Sequence, residues 1–312
     1  MSYEPRSHPV AIVVLLVAAT LAGAVAIGSI WANQQLLSTS SWVSVSGNLL
    51  ESKSVRHRVA EFLGEELVND TEAQLNAAGQ EEAAAVVVPR LRAEQTQLAE
   101  RVMKTKQFKA IWLTANRAGH QALLRVLDEE GKAGEEGAVV VNLTPALRQL
   151  ADVLEEEGLA EELGVSDLAG LVEPGAGRIK VLEAEELNRA QDVVRVIRDL
   201  TAPAVIVTLA LYALVLFLGW RRIGRTLVGV GLALAATGGL ALLVRALAGN
   251  EIVDQLIAGG RDQGAADAAW RIATSKIADL AGIAIGLGAV IVLLVAAVAV
   301  FRVATAQRAA VE

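Results

Sequence analysis

Five residues, Arg221-Arg222-Ile223-Gly224-Arg225, separate two apolar runs, Ala202–Trp220 and Thr226–Leu247. No other feature restricts this chain so tightly. Each run is about as long as the roughly 20 helical residues that cross the hydrocarbon core of a bilayer. Three arginines in a tight loop resist translocation, which assigns the loop to the cytoplasmic side. Every other segment takes its side of the membrane from Arg221, Arg222 and Arg225.

Two further apolar runs, Val10–Trp31 and Leu280–Phe301, raise the hydrophobic share to 54%, above the roughly 45–50% of soluble domains. The expected order is a cytoplasmic tail (1–9), a first span (10–31), an extracytoplasmic domain (32–201), a second span (202–220) and the arginine loop (221–225). A third span (226–247), an outer loop (248–279), a fourth span (280–301) and a cytoplasmic tail (302–312) follow. The order implies a multi-pass plasma-membrane protein, with both termini expected in the cytoplasm. Ala24-Val25-Ala26 resembles a small-x-small signal-peptide site, but the apolar run continues to Trp31, a residue suited to the interface, so an uncleaved span is favoured.

Charge is partitioned in the same sense. Residues 33–200 hold 18 Lys/Arg against 28 Asp/Glu, a net of −10. The segments assigned to the cytoplasm hold Arg6, Arg221, Arg222, Arg225, Arg302 and Arg308 against Glu4 and Glu312, a net of +4. Arg245 and the outer loop together net −1. An acidic outer domain argues against nucleic acid as a partner and against docking of that domain on anionic lipid. The chain has no cysteine, which removes disulfides, thiolate metal ligands and cysteine nucleophiles.

The outer domain reads as mostly helical. Ser52 and Ser54 can cap a helix carrying Val55, Val59, Phe62, Leu63 and Leu67, which Asn69-Asp70-Thr71 is expected to break. A second helix carries Leu91, Leu98 and Val102, with Pro89 near its start. The third, about Thr105–Asp128, has a wide apolar stripe of Phe108, Ile111, Trp112, Ala115, Gly119, Ala122, Leu123 and Val126. An acidic, glycine-rich loop follows to Gly137. Residues 138–143 and 178–182 read as short strands that pair into a small ribbon, each followed by a helix. The last helix carries Leu187, Val194 and Ile197 and ends near Thr201, with Pro203 in the first turn of the second span. Within the spans, Gly231, Ala235 and Gly239, and separately Gly282 and Gly286, recur at the four-residue spacing that lets membrane helices approach closely. The outer loop reads as two short helices. The fold class is therefore mainly α: four transmembrane helices plus a helical extracytoplasmic domain with a two-strand element.

The strongest candidate site is the series Phe108, Trp112, Asn116 and His120, spaced four apart on one helix face. As a ligand site, Trp112 would stack on a ligand while Asn116 and His120 orient a polar group. The plainer alternative makes Phe108 and Trp112 core, with Asn116 and His120 satisfying buried backbone groups. The acidic loop 128–137 lacks the ligand spacing of a calcium loop. Gly175-Ala176-Gly177-Arg178 lacks the third glycine of a dinucleotide site. With only His8, His57 and His120, no metal site is expected, and no cofactor.

Trp42 after a polar-rich lead-in, Val55-x3-Val59, Phe108-x3-Trp112-x3-Asn116-x3-His120 and Val140-x-Asn142-Leu143-x-Pro145 together resemble a group of uncharacterised actinobacterial integral membrane proteins. The resemblance covers most of the chain and implies one N-terminal span, an extracytoplasmic domain and three C-terminal spans, with no chemistry attached. Where that group often has an Asp-rich lead-in, this chain has Ser38-Thr39-Ser40-Ser41.

These readings favour a non-enzymatic envelope protein whose outer domain binds or scaffolds envelope partners, another protein or a second copy of the chain. A transmembrane sensor is the alternative, with the helix before Thr201 transmitting a signal and a partner supplying the cytoplasmic output. A small-solute transporter is weaker, because no Asp, Glu, Lys or His lies deep in any span.

Overall fold

The computed structural model describes residues 9–128, 139–142, 148, 151–152, 155, 170, 178–182, 184–258 and 263–309. The fold is mainly helical. Four helices are long and apolar enough to cross a membrane, with candidate spans Val10–Leu36, Arg189–Leu218, Trp220–Asp254 and Ser275–Thr305. The chain forms two compact units. One, here the apolar unit, comprises Met1–Gln35, Arg195–Ile252 and Thr274–Glu312; the other, the helical unit, comprises Leu36–Val194 and Val253–Ala273.

The helical unit begins with α2 (Thr39–Glu51), entered from α1 (Pro9–Trp31) through a π-helical turn, Ala32–Leu36. Ser38 caps α2 by accepting the Ser41 N–H on its hydroxyl, which satisfies one of the donors a helix start leaves free. At the other end Arg56 Nη1 donates to the carbonyls of Leu50 and Glu51, at 3.2 and 3.3 Å, as a cation near a helix C-terminus does.

Helices α3 (Lys53–Ala77) and α4 (Glu81–Met103) form an antiparallel hairpin and supply most of the core. Ala60, Leu63, Leu67, Val68 and Leu75 pack with Ala84, Val87, Val88, Leu91, Leu98, Ala99, Val102 and Met103. The turn between them is a Schellman closure. Gly79 takes φ 71°, its N–H donates to Asn76 O, and the Gln80 N–H reaches back to Leu75 O, an arrangement that needs left-handed backbone at that one residue.

Two expectations fail in this hairpin. Asn69-Asp70-Thr71 does not break α3. Thr71 is fully buried and its hydroxyl donates to Leu67 O at 2.7 Å, so the hydroxyl is satisfied within the helix and the inward row continues to Leu75. Phe62, expected inward, is exposed. Pro89 lies inside α4 rather than near its start, because the apolar face begins earlier, at Ala84 and Val87. Ser52 stands at the start of α3, but its side chain makes no cap bond there.

Helix α5 (Lys106–Asp128) is capped by Thr105, whose Oγ1 accepts the Phe108 N–H at 3.2 Å. It runs antiparallel to α2, as the pairs Thr39–His120, Ser46–Asn116 and Glu51–Lys109 require. Its stripe is shallower than expected: Phe108 is buried, Trp112 is half-buried and Ala122 is exposed. Short extended segments β1 (Val139–Asn142) and β2 (Arg178–Leu182) lie antiparallel, with Val141 opposite Ile179; the fold class rests on the helices. The acidic loop after Asp128, most of the helix expected after Thr144 and the Gly175–Gly177 turn lie outside the described residues.

Helix α6 (Ala184–Leu218) is unbroken, with Pro203 in its interior. The sequence reading had placed a boundary there. Two residues earlier, Thr201 Oγ1 donates to Ile197 O at 2.7 Å, so its hydroxyl is satisfied within the helix. A 3₁₀ turn, Trp220–Arg222, leads into α7 (Ile223–Ala258). The outer loop is also reorganised. Instead of two short helices, α7 continues to Ala258 and α8 (Gln263–Ala273) packs within the helical unit against α2 and α3, burying Ala265, Ala266 and Ala268. The last helix is α9 (Ser275–Ala309).

Candidate functional site

The α2–α5 seam brings the three expected ligand-binding residues together and gives each a partner. On α2, Thr39, Trp42, Val43, Ser46, Gly47 and Leu50 recur at helical spacing on one face. Gly47 lets α5 come close, since a Cβ there would meet Leu113 Cδ2 at 3.3 Å. Trp112 Nε1 donates to Ser46 O at 2.9 Å. Asn116 accepts the Ser46 hydroxyl on Oδ1 at 3.0 Å and donates from Nδ2 to Trp112 O at 2.8 Å.

His120 is 4% exposed. Its Nε2 lies 3.0 Å from Leu36 O, a group that can only accept, so Nε2 carries the proton and donates. Its Nδ1 is 3.1 Å from Thr39 Oγ1, which can donate to it, and the ring stacks on Trp42 with centroids 5.1 Å apart. Phe108 and Trp112 stack at 6.4 Å. The seam is thus a polar clamp that ties the start of α2, including the carbonyl of Leu36, to α5. His120 satisfies backbone, as the plainer reading expected. Asn116 does so too, at Trp112 O, and in addition accepts a side-chain hydroxyl across the seam. Sequence reasoning named Trp42 and Thr39 only within the resemblance and did not single out Ser46; none was placed in the site, although their spacing of three, four and seven was the available signal.

The polar edge of α3 and α4 carries a second charged group. His57 Nδ1 lies 2.7 Å from Glu100 Oε1 and its Nε2 3.4 Å from Glu61 Oε1. The hydrogen bond from His57 lowers the Glu100 carboxyl below its ordinary value; burial opposes this, and the charges of His57, Lys104 and Arg56 add to it. Glu51 is lowered too, by its bond to Lys109. Among the described residues no three His, Asp or Glu side chains gather in a way that could hold a metal.

Contacts inside the apolar unit order its helices. Leu16 meets Gly229, Thr20 Oγ1 reaches Ala233 O at 3.4 Å, and Gly23 faces Thr237, so α1 and α7 run parallel. Gly224 lies by Val295, Gly231 by Gly288, and Gly238 by Ala281, so α7 and α9 run antiparallel. Thr201 Oγ1 contacts Ser29 O at 3.3 Å while Thr208 faces Gly23, so α6 is antiparallel to α1. The start of α1, the α6–α7 turn and the end of α9 therefore share one end. Trp31, Thr201 and Arg245 share the other, where Arg245 Nε donates to Thr274 Oγ1 at 2.8 Å. Thr237, 3% exposed, joins three helices midway, bonding Ala233 O and lying within 3.4 Å of the Tyr212 hydroxyl.

The expected packing glycines divide. A Cβ on Gly231 would come within 2.7 Å of Gly288 O and 2.8 Å of Val292 Cγ2, and Ala235 presses on Gly288. Gly239, Gly282 and Gly286 have nothing within 4 Å of such a Cβ. The close contacts use Gly238 and Gly288 instead, neither singled out by spacing. Which side of a helix meets a neighbour depends on its rotation about its own axis, and a small-residue repeat does not set that rotation.

Arg221, Arg222 and Arg225 are all exposed at the tip of the α6–α7 turn. The turn is tightly held. Thr226 packs where a Gly219 side chain would lie, and its hydroxyl shares its one proton between Gly219 O at 3.1 Å and Arg222 O at 3.3 Å. Comparison with known proteins returned no match, whether to a family model, to a curated protein or to a solved structure.

Proposed function

We propose that this chain is a non-enzymatic integral membrane protein of the cell envelope, with its helical unit outside the plasma membrane binding or scaffolding envelope partners. The observation that carries the reading is the helix order in the apolar unit. It gathers Arg221, Arg222, Arg225 and Arg302 at one end of four apolar helices, and positive charge of this kind stays on the cytoplasmic side. Both chain termini then face the cytoplasm. Residues 36–194 and 253–273, with their own core, emerge on the far side. The polar atoms of the α2–α5 seam are taken up within the fold, which favours a structural clamp over a ligand pocket there. The resemblance to uncharacterised actinobacterial integral membrane proteins implies the same order of one span, an outer domain and three spans.

The test has two parts. A cysteine placed at the exposed position 90 should react with a membrane-impermeant maleimide in intact cells; labelling only after lysis would reverse the orientation. Cross-linking in cells, followed by purification of the full chain, should capture a defined protein or a second copy. A chain that stays solitary would remove the scaffolding reading. The sensor alternative draws on one observation, the unbroken run of α6 from Ala184 to Leu218.

A further inference from the structure

We infer that the α6–α7 turn is a binding site for anionic phospholipid. The inference rests on the reading that the four long helices span a bilayer. Four features of this end point to a charged headgroup with an acyl chain beneath it. Arg221, Arg222 and Arg225 are exposed within a five-residue stretch, and Arg302 is exposed on α9 at the same end. Among the described residues none of the four forms an ion pair with a carboxylate. Trp220 and Phe217 are 75% and 78% exposed, and Phe301 precedes Arg302 at 70%. The backbone beneath the arginines is fixed by the Thr226 hydroxyl, which ties down the carbonyls of Gly219 and Arg222.

Each feature has a physical role. Guanidinium groups match phosphate oxygens with paired N–H donors and are weakly hydrated, so they favour phosphodiesters over water. Trp220 has the amphipathic ring that prefers the headgroup level. Phe217 and Leu218, one turn deeper on α6, present apolar surface where the acyl chain of that lipid would lie. A turn held by Thr226 loses little freedom when a ligand docks, so less of the attraction is offset by ordering. Charge complementarity selects the occupant: four cations with no carboxylate partner among the described residues favour a lipid with net negative charge over a zwitterionic one.

The full-length protein, purified in mild detergent, would be mixed with equal amounts of phosphatidylglycerol and phosphatidylethanolamine, and bound lipid counted by native mass spectrometry. Phosphatidylglycerol should be retained in preference, and each arginine replaced by glutamine at 221, 222 or 225 should weaken retention about fivefold. The variant R90Q/R101Q/R117Q, which loses the same charge from the helical unit, should retain the lipid as the parent does. Equal retention of the two lipids, or an equal loss in the helical-unit variant, overturns the proposal. The matching turn variant is R221Q/R222Q/R225Q, which should lose most of the retention; should it fail to insert, Trp220→Ala keeps every charge and should lower retention severalfold, and unchanged retention overturns the proposal. Release of the chain from membranes by alkaline carbonate would defeat the spanning reading and the proposal with it. A chain that stays in the membrane but ignores headgroup charge defeats the proposal alone.

Discussion

Replacing Gly288 with alanine should destabilise the apolar unit more than the same change at Gly282 or Gly286. The new Cβ at 288 would overlap Gly231 O and lie 2.9 Å from Ala235 N. Both are backbone atoms, which cannot rotate away as a side-chain tip can, so α7 and α9 must move apart. Overpacking of this kind costs about 1–3 kcal/mol. A helix separation of about 0.5–1 Å also forfeits a quarter to a half of the dispersion attraction across the contact. Opposing this, alanine gains up to about 1 kcal/mol of helix propensity over glycine, leaving a net loss of up to about 2 kcal/mol. At Gly286 nothing lies within 4 Å of the added atom, so only the propensity gain remains and G286A should be neutral or slightly stabilising. The assay is reversible unfolding of the full chain in mixed micelles on titration with SDS, followed by tryptophan fluorescence. If G286A or G282A loses stability while G288A does not, the helix rotation described above is wrong and the four-residue repeat is the true contact.

Three further outcomes follow from the helical unit. His120→Ala leaves Leu36 O without its donor and removes the Trp42 stack, so denaturant unfolding should show a loss of about 1–3 kcal/mol, while Asn116→Ala should cost about 1 kcal/mol. Gly79→Ala meets no side chain, yet forces a Cβ into left-handed backbone, and should cost about 1–2 kcal/mol in the same measurement. The Glu100 carboxyl is lowered in the folded chain, so the native state binds fewer protons than the unfolded one. Its stabilising contribution is full above the unfolded value of about 4.3 and disappears as pH falls through the lower folded value. A pH series from 6 down to 3 should show a fall in unfolding midpoint that is smaller in E100Q; an identical fall in both would remove the His57 bond as its cause.

The candidate site was half legible. Trp112, Asn116 and His120 stand out because one helix face is a local property of spacing. Their partners Thr39, Trp42 and Ser46 lie on another helix, and nothing in the order of residues pairs α2 with α5. The run through Asn69-Asp70-Thr71 was misread for a related reason. Propensity disfavours helix there, but the full burial of Thr71 overrides it, and that burial is a tertiary fact.

The amino-acid order by itself determined the four long apolar helices and the tight arginine-bearing turn between two of them. Apolar length adds up residue by residue along the chain and needs no partner to be recognised. Only the tertiary structure decided which glycines touch a neighbour, that α3 and α6 run unbroken, and that α8 joins the helical unit. Those outcomes depend on how each helix is rotated and what it packs against, and packing is a relation between distant segments that no single stretch encodes.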